Sequence, residues 1–335
     1  MILAKHSDRN SLLEILILII IAATVGLVLI SEEKKTEKEI ESLYAVPMAE
    51  NSPIVLMFVG DIMLDRGVEY IIEKEGGDFK FPFLKIAAKI KKANILFGNL
   101  ESVISDKGEN VGSAYSFRAD PKAIEGLVFA GFDILSVANN HVFDYGRLAM
   151  EDSFNRLKSA SIDYVGGGFN EAEAYSPVIK NIKGTKIAFL AYDSIGLEYW
   201  SAKKDKSGIA WLGEEKLVND IKLAKESADL VIVSMHFGEE YQPESNGEQK
   251  KFARLAIDSG ANLVVGHHPH VVQEIEEYNG GYIAYSLGNF IFDQDFSKET
   301  KKGLLLKIIV QNKRIIKIIP VQAKINQYFQ PEILN

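Results

Sequence analysis

The sequence predicts an α/β fold with a largely parallel sheet, joined toward the C-terminus by a second or mixed sheet. Three observations carry this. From residue 54 onward, short apolar runs rich in β-branched residues alternate with stretches of helical periodicity. After residue 282 the helical patterns stop and strand patterns follow one another. Several apolar runs end in a carboxylate, an amide or a histidine, and sites of open α/β sheets collect at the carboxyl ends of strands.

Taken in order, residues 11–30 read SLLEILILIIIAATVGLVLI, with Glu14 as the only charge. A run this long and apolar spans a bilayer as a helix. Lys5 and Arg9 precede it, which fits a cytoplasmic N-terminus, and no small-residue cleavage site closes it. The expectation is a cytoplasmic tail (1–10), an uncleaved transmembrane anchor (11–30) and a charged linker (31–52). The main domain (53–322) then lies outside the cytoplasm at the cell membrane, followed by a C-terminal tail (323–335).

Within the domain, strands are expected at 54–59, 95–97, 133–137, 187–192, 230–234 and 263–265. Helices are expected at 83–92, 121–130, 148–160, 214–227 and 248–258, the second opening on Pro121. Strands at 282–285, 304–310 and 315–319 complete the chain, the last two forming a hairpin turned at 311–313. No internal repeat is present.

The chain has 335 residues, a net charge of −8 and no cysteine. That excludes disulfides and thiolate metal sites. The acidic balance argues against a general nucleic-acid binder.

Polar residues recur where the strands end. Asp61 follows the first, Asn99 and Glu101 the second, and Asn139, Asn140, His141 and Asp144 the third. His236, Glu239 and Glu240 follow a later one, and Gly266-His267-His268-Pro269-His270 closes the set. Pro269 stiffens the last loop, so His268 and His270 point into one cleft while strand alternation turns His267 away. Each residue alone has a plainer role: Asp61 as a helix cap, Asn140 in a left-handed turn, His236 as a core histidine. Together they form a mixed oxygen and nitrogen set suited to one or two divalent ions, Mn, Zn or Fe.

The blocks Gly60-Asp61-Ile62-Met63-Leu64, Asn99-Leu100-Glu101, Ala138-Asn139-Asn140-His141 with Asp144-Tyr145-Gly146, and Gly266-His267-His268-Pro269-His270-Val271 resemble the CapA (PGA_cap) proteins of poly-γ-glutamate capsule synthesis. Phe117-Arg118-Ala119 and Ala130-Gly131-Phe132-Asp133 are similar to that family too. The family in turn resembles calcineurin-like metallophosphoesterases, which implies a four-layer α/β/β/α sandwich with a two-metal site.

The resemblance implies metal ligands at Asp61 and His270 for a first ion, at Asn140, His236 and His268 for a second, and at Glu101 between the two. Asn99 is the weaker candidate for the bridging role given to Glu101. His141 is implied to assist at the substrate oxygen as the catalytic residue, and Arg66 and Arg118 offer a cationic edge for substrate. The pattern departs from the phosphoesterases at Met63, where a histidine ligand is expected, and at Gly98-Asn99, where Gly-Asp is expected. Two functions follow. One is a metal-dependent hydrolase acting on a phosphoester or on an anionic glutamyl polymer. The other is a non-catalytic polymer-binding subunit working with other capsule synthesis subunits.

Overall fold

In the computed structural model the chain divides into two units, residues 1–50 and 51–335. The structure describes residues 19–20, 24, 26–28, 30–32, 34–35 and 52–334. Those below 36 are helical. Among the described residues no helix is long and apolar enough to cross a membrane. Most of the 11–30 stretch expected to anchor the chain lies outside them, as do the 1–10 tail and most of the 31–52 linker.

The second unit contains two large sheets. The first is built from β1 (Ile54–Ile62), β2 (Ile95–Leu100), β3 (Ile134–Ser136) and β4 (Asp163–Val165), with three helices between them: α1 (Arg66–Lys74), α2 (Ala123–Ala130) and α3 (Gly146–Ser159). The second contains β5 (Val178–Ile182), β6 (Thr185–Asp193), β7 (Leu230–His236) and β8 (Leu263–His267), with α4 (Glu214–Ser227) and α5 (Gly247–Ser259) between the last three strands. The hairpin β9 (Ile275–Tyr278) and β10 (Gly281–Ala284) completes that sheet. The chain then returns to the first sheet through β11 (Asn289–Ile291), β12 (Lys302–Gln311), β13 (Arg314–Ile325) and β14 (Pro331–Ile333).

The first sheet runs β14-β13-β12-β1-β2-β3-β4, with β11 alongside the end of β1. Strands β1 to β4 are parallel, and β12 to β14 add antiparallel to the edge. The second sheet runs β9-β10-β8-β7-β6-β5, parallel from β6 through β10. The late strand-only run is divided: β10 joins the second sheet, and β12 and β13 add antiparallel to the first, which becomes a mixed sheet.

Three apolar cores separate four layers. One lies between α1–α3 and the first sheet, one between the sheets, and one between the second sheet and α4 and α5. Because both faces of β1, β7 and β8 are covered, they read as unbroken apolar runs rather than alternating ones. Phe58, Phe97 and Phe189 carry the central core from one sheet to the other, with ring centroids 5.5 Å and 5.9 Å apart. This is the α/β/β/α sandwich expected from the resemblance.

Several expectations are corrected. The helix expected at 83–92 is only a 3-10 turn, Phe81–Phe83, and one α turn, Ala87–Ile90. Helix α1 and strands β4, β5, β9, β11 and β14 have no counterpart in the sequence reading. The stretch read as a tail from 323 instead extends β13 to Ile325 and supplies β14. Pro320 sits inside β13 without harm because β14 pairs only with Ala323–Ile325, which leaves the outer side of Pro320 free.

Two glycines let the strand ends crowd together. A Cβ on Gly60 would lie 1.8 Å from the Gly288 carbonyl oxygen, and one on Gly266 would lie 1.9 Å from that of Tyr285. Each immediately precedes a polar residue of the site. Gly60→Ala should therefore cost on the order of 3 kcal/mol through overpacking against backbone that cannot yield. Urea denaturation of the variant checks this; an unchanged midpoint would show that the strand ends adjust freely.

Candidate metal centre

The carboxyl ends of β1, β2, β3, β7 and β8 meet at one end of the sandwich. Asp61 is fully buried at the end of β1. The Asn99 side chain donates from Nδ2 to Asp61 Oδ1 at 2.9 Å, and the backbone N–H of His268 donates to Oδ2 at 3.2 Å. His267 Nδ1 and His270 Nδ1 lie 3.2 Å and 3.4 Å from the same carboxylate. Burial works to raise the Asp61 pKa, but contact with His267 and His270 outweighs it and holds the group well below the usual carboxylate range.

Glu101 is also buried, one residue past β2. Burial and then the charge of Asp61 push its pKa well above the ordinary value. Its Oε2 has no hydrogen-bond partner. His236 closes β7, with Nε2 2.9 Å from Asn140 Oδ1 and 4.0 Å from Glu101 Oε1. Its pKa is held well below the usual value by burial and then by the neighbouring His268.

Two groups of candidate ligands result among the described residues. Asp61, Glu101 and His236 converge in one, and Glu240, His268 and His270 in the other. This differs from the pairing implied by resemblance, in which His236 and His268 shared an ion and Asp61 and His270 shared the other.

The loop after β8 is backbone-strained. His268 has φ of 95° and His270 has φ of 57°, conformations that non-glycine residues seldom adopt. Such strain costs about 1–3 kcal/mol per residue and persists only where surrounding contacts enforce it. His270 is fixed through Nδ1 by Asn289 Oδ1 at 2.9 Å, which frees its other ring nitrogen for a ligand. Burial and the adjacent His270 push the His268 pKa down to about 3.

The expectation that His267 turns away is wrong. His267 pairs in register with His236, and Val265 two residues earlier faces the core between the sheets. β8 runs two residues further than the sequence reading allowed, so His267 is still a strand residue and points inward with Val265.

His141 stands beside the metal ligands. Its Nδ1 lies 2.8 Å from Asp144 Oδ2, which also accepts from the backbone N–H of Phe117. The imidazole packs on the Phe117 ring at 4.0 Å between centroids. A cavity of about 380 Å³ opens here, lined by Asn140, His141, Asp144, Glu240 and His270, with Tyr115, Tyr241 and Phe296 at its aromatic side. Arg66 lines it too, but its guanidinium is paired with Asp293. Arg118 is not among the lining residues. It stacks on Tyr145 at 4.1 Å and donates to the carbonyls of Lys107 and Gly108.

The sequence placed Asp144 and Glu240 at strand ends without giving them roles. The spacing of His141 and Asp144, three residues apart, is the signal for the first. Asn289 and Asp293 gave no signal, since only the return of the chain to the first sheet brings them here.

Residues 55–294 match the family described as bacterial capsule synthesis protein PGA_cap. The chain belongs to this family. It is 32% identical over 294 residues to the capsule biosynthesis protein CapA of Bacillus anthracis, covering 85% of this chain and 71% of that one. It is 33% identical over 251 residues to the PGA biosynthesis protein CapA of Bacillus subtilis strain 168, covering 74% and 66%. Among solved structures, a phosphatase from Mycoplasma pneumoniae superposes with a TM-score of 0.50 at 17% identity, over 81% of this chain and 94% of that one. That likeness concerns the fold alone.

For this member of the capsule synthesis family, the side chains fit divalent cations. Glu101 Oε2, both ring nitrogens of His267 and Nδ1 of His268 are buried without hydrogen-bond partners. Buried polar atoms are seldom left so. The neutral His236 and His268 are in the form that binds metal.

The His268 shift also has a consequence for stability. Its folded pKa, about 3, lies below the unfolded value near 6.5, so the unfolded chain binds the extra proton between those limits. Stability should fall as pH drops from about 6.5 toward 3, by up to about 1.4 kcal/mol per pH unit from this residue. With chelator present, His268→Gln should show a shallower slope in urea denaturation across that window. An equal slope in both proteins would mean that His268 does not carry the effect.

Proposed function

We propose that this protein is a membrane-anchored, divalent-metal-dependent hydrolase of capsule polymer metabolism. Its substrate class is an anionic polymer of the poly-glutamate type or a phosphoester, and it works with other capsule synthesis subunits. One observation carries the reading. Asp61, Glu101, Asn140, His236, His268 and His270, drawn from distant parts of the chain, meet in one buried cluster beside His141. The names of the Bacillus relatives support the capsule setting.

Asp61, Glu101 and His236, with Asn140, would hold one ion, and Glu240, His268 and His270 another. A divalent ion in such a set supplies Lewis acidity and lowers the pKa of water toward about 7. Imidazole and carboxylate donors suit Mn, Zn or Fe.

The chain's own contribution centres on His141. Asp144 accepts from Nδ1, so Nε2 faces the neighbouring Asn140 Nδ2 at 3.3 Å. Nε2, the acceptor toward that amide, can take up a proton and pass it to the leaving atom of a substrate in the cavity. The lining is acidic, with Asp144, Glu240 and Asp293, and Arg66 is already neutralised. An anionic substrate therefore depends on bound cations for attraction, and nucleic acid is not an expected partner. The second function, polymer binding without turnover, is favoured by Asn99. It occupies the expected bridging position with an amide rather than a carboxylate.

Two tests follow. Purified full-length protein loaded with Mn or Zn should hydrolyse a phosphodiester or a poly-γ-glutamate chain, and chelator should abolish this. Asp144→Asn should lower kcat by roughly 100-fold or more, with metal content retained. Metal binding and polymer binding with no turnover on either substrate would favour the second function. For the anchor, protease added to intact cells should digest the domain; full protection would exclude an extracytoplasmic position.

A further inference from the structure

We infer that His267 is a metal ligand, joining Asp61 at the inner ion site. This rests on the reading above that the site holds a divalent ion.

His267 is completely buried at the end of β8, on the inner face beside His236. A buried imidazole needs partners for both ring nitrogens, since an unmatched buried polar atom bears its full desolvation cost. His267 has none for either. Its nearest charged neighbour is Asp61, whose Oδ1 lies 3.2 Å from Nδ1. That distance would suit a hydrogen bond, but the oxygen lies off the N–H direction and no bond forms. An imidazolium held to Asp61 by charge would aim its N–H at the carboxylate.

A nitrogen and an oxygen about 3 Å apart and not aimed at each other have the relation of two ligands on one ion. With bonds of roughly 2.0–2.2 Å, adjacent ligands stand about 2.8–3.6 Å from each other, according to whether the geometry is octahedral or tetrahedral. Asp61 Oδ1 is otherwise met by the Asn99 amide at 2.9 Å. Met63, two residues beyond Asp61, brings no nitrogen and is itself buried. Its Sδ accepts from the backbone N–H of Asp65 at 3.2 Å, and its side chain packs in the helix-side core. His267 thereby adds an imidazole nitrogen beside the group formed by Asp61, Glu101 and His236, in the mixed oxygen and nitrogen donor set that zinc accepts.

Zinc is the probe. Its binding to purified full-length protein is first measured by calorimetry and elemental analysis. No zinc bound would overturn both the metal reading and this inference. If zinc binds, crystals grown with it and measured at the zinc edge locate the ions. A His267 ring nitrogen within about 2.3 Å of an anomalous peak is the expected result. Zinc at the site with His267 more than about 3 Å away would overturn the assignment of His267 while leaving the metal reading intact. His267→Gln should lower the affinity for one zinc by at least about 100-fold without removing the other. The wild-type diffraction experiment decides the matter even if that variant does not fold.

Discussion

A carboxylate buried between two sheets must be matched, and the surroundings of Asp61 are arranged around that need. Its oxygens face the Asn99 amide, the His268 backbone N–H and the rings of His267 and His270. These come from β2 and from the end of β8, so the two sheets must close over Asp61 at fixed separation. Gly60 and Gly266 allow this, since no side chain fits where their strands press against Gly288 and Tyr285. Burial that would otherwise neutralise the carboxyl is overcome by the histidines, and Asp61 stays ionised at the centre.

The same closure divides the titratable groups by environment. Asp61 is held low, Glu101 is pushed up, and His236 and His268 are pushed down. Desolvation acts on all four in the direction that removes charge, and only at Asp61 do the contacts with His267 and His270 outweigh it. The strained backbone at His268 and His270 belongs to the same arrangement. Asn289 binds His270 Nδ1 and the rings of Tyr241 and Phe292 lie beside its imidazole, which fixes the ring against the cost of a left-handed φ. His141 sits at the rim, oriented by Asp144 and faced by the open cavity.

Much of this was legible in the chain. The alternation of apolar runs and helical patterns located β1–β3, β6–β8 and the helices α2–α5 to within a few residues. The helix expected at 83–92 dissolved into two short turns because it packs in pieces around Phe83 and Ile90 rather than along one face. Strand β14 was illegible: its three residues have no pattern and exist as a strand only by pairing with Ala323–Ile325. Among the site residues, those ending strands could be listed from sequence. The two arginines could not be judged, because Arg66 meets Asp293 across a long separation and Arg118 finds Tyr145.

What the sequence determined by itself was local: which residues are apolar enough to form buried strands, where glycine permits close approach, and which polar side chains stand at the strand ends. Tertiary structure decided which of those side chains share an ion site and which way each ring faces. His267 shows the difference. Strand alternation is a local rule, but its phase depends on where the strand ends, and that end is set by pairing of His267 with His236 on a strand far away in sequence. Two residues of extension turned the imidazole from the outside of the sheet to the carboxylate of Asp61.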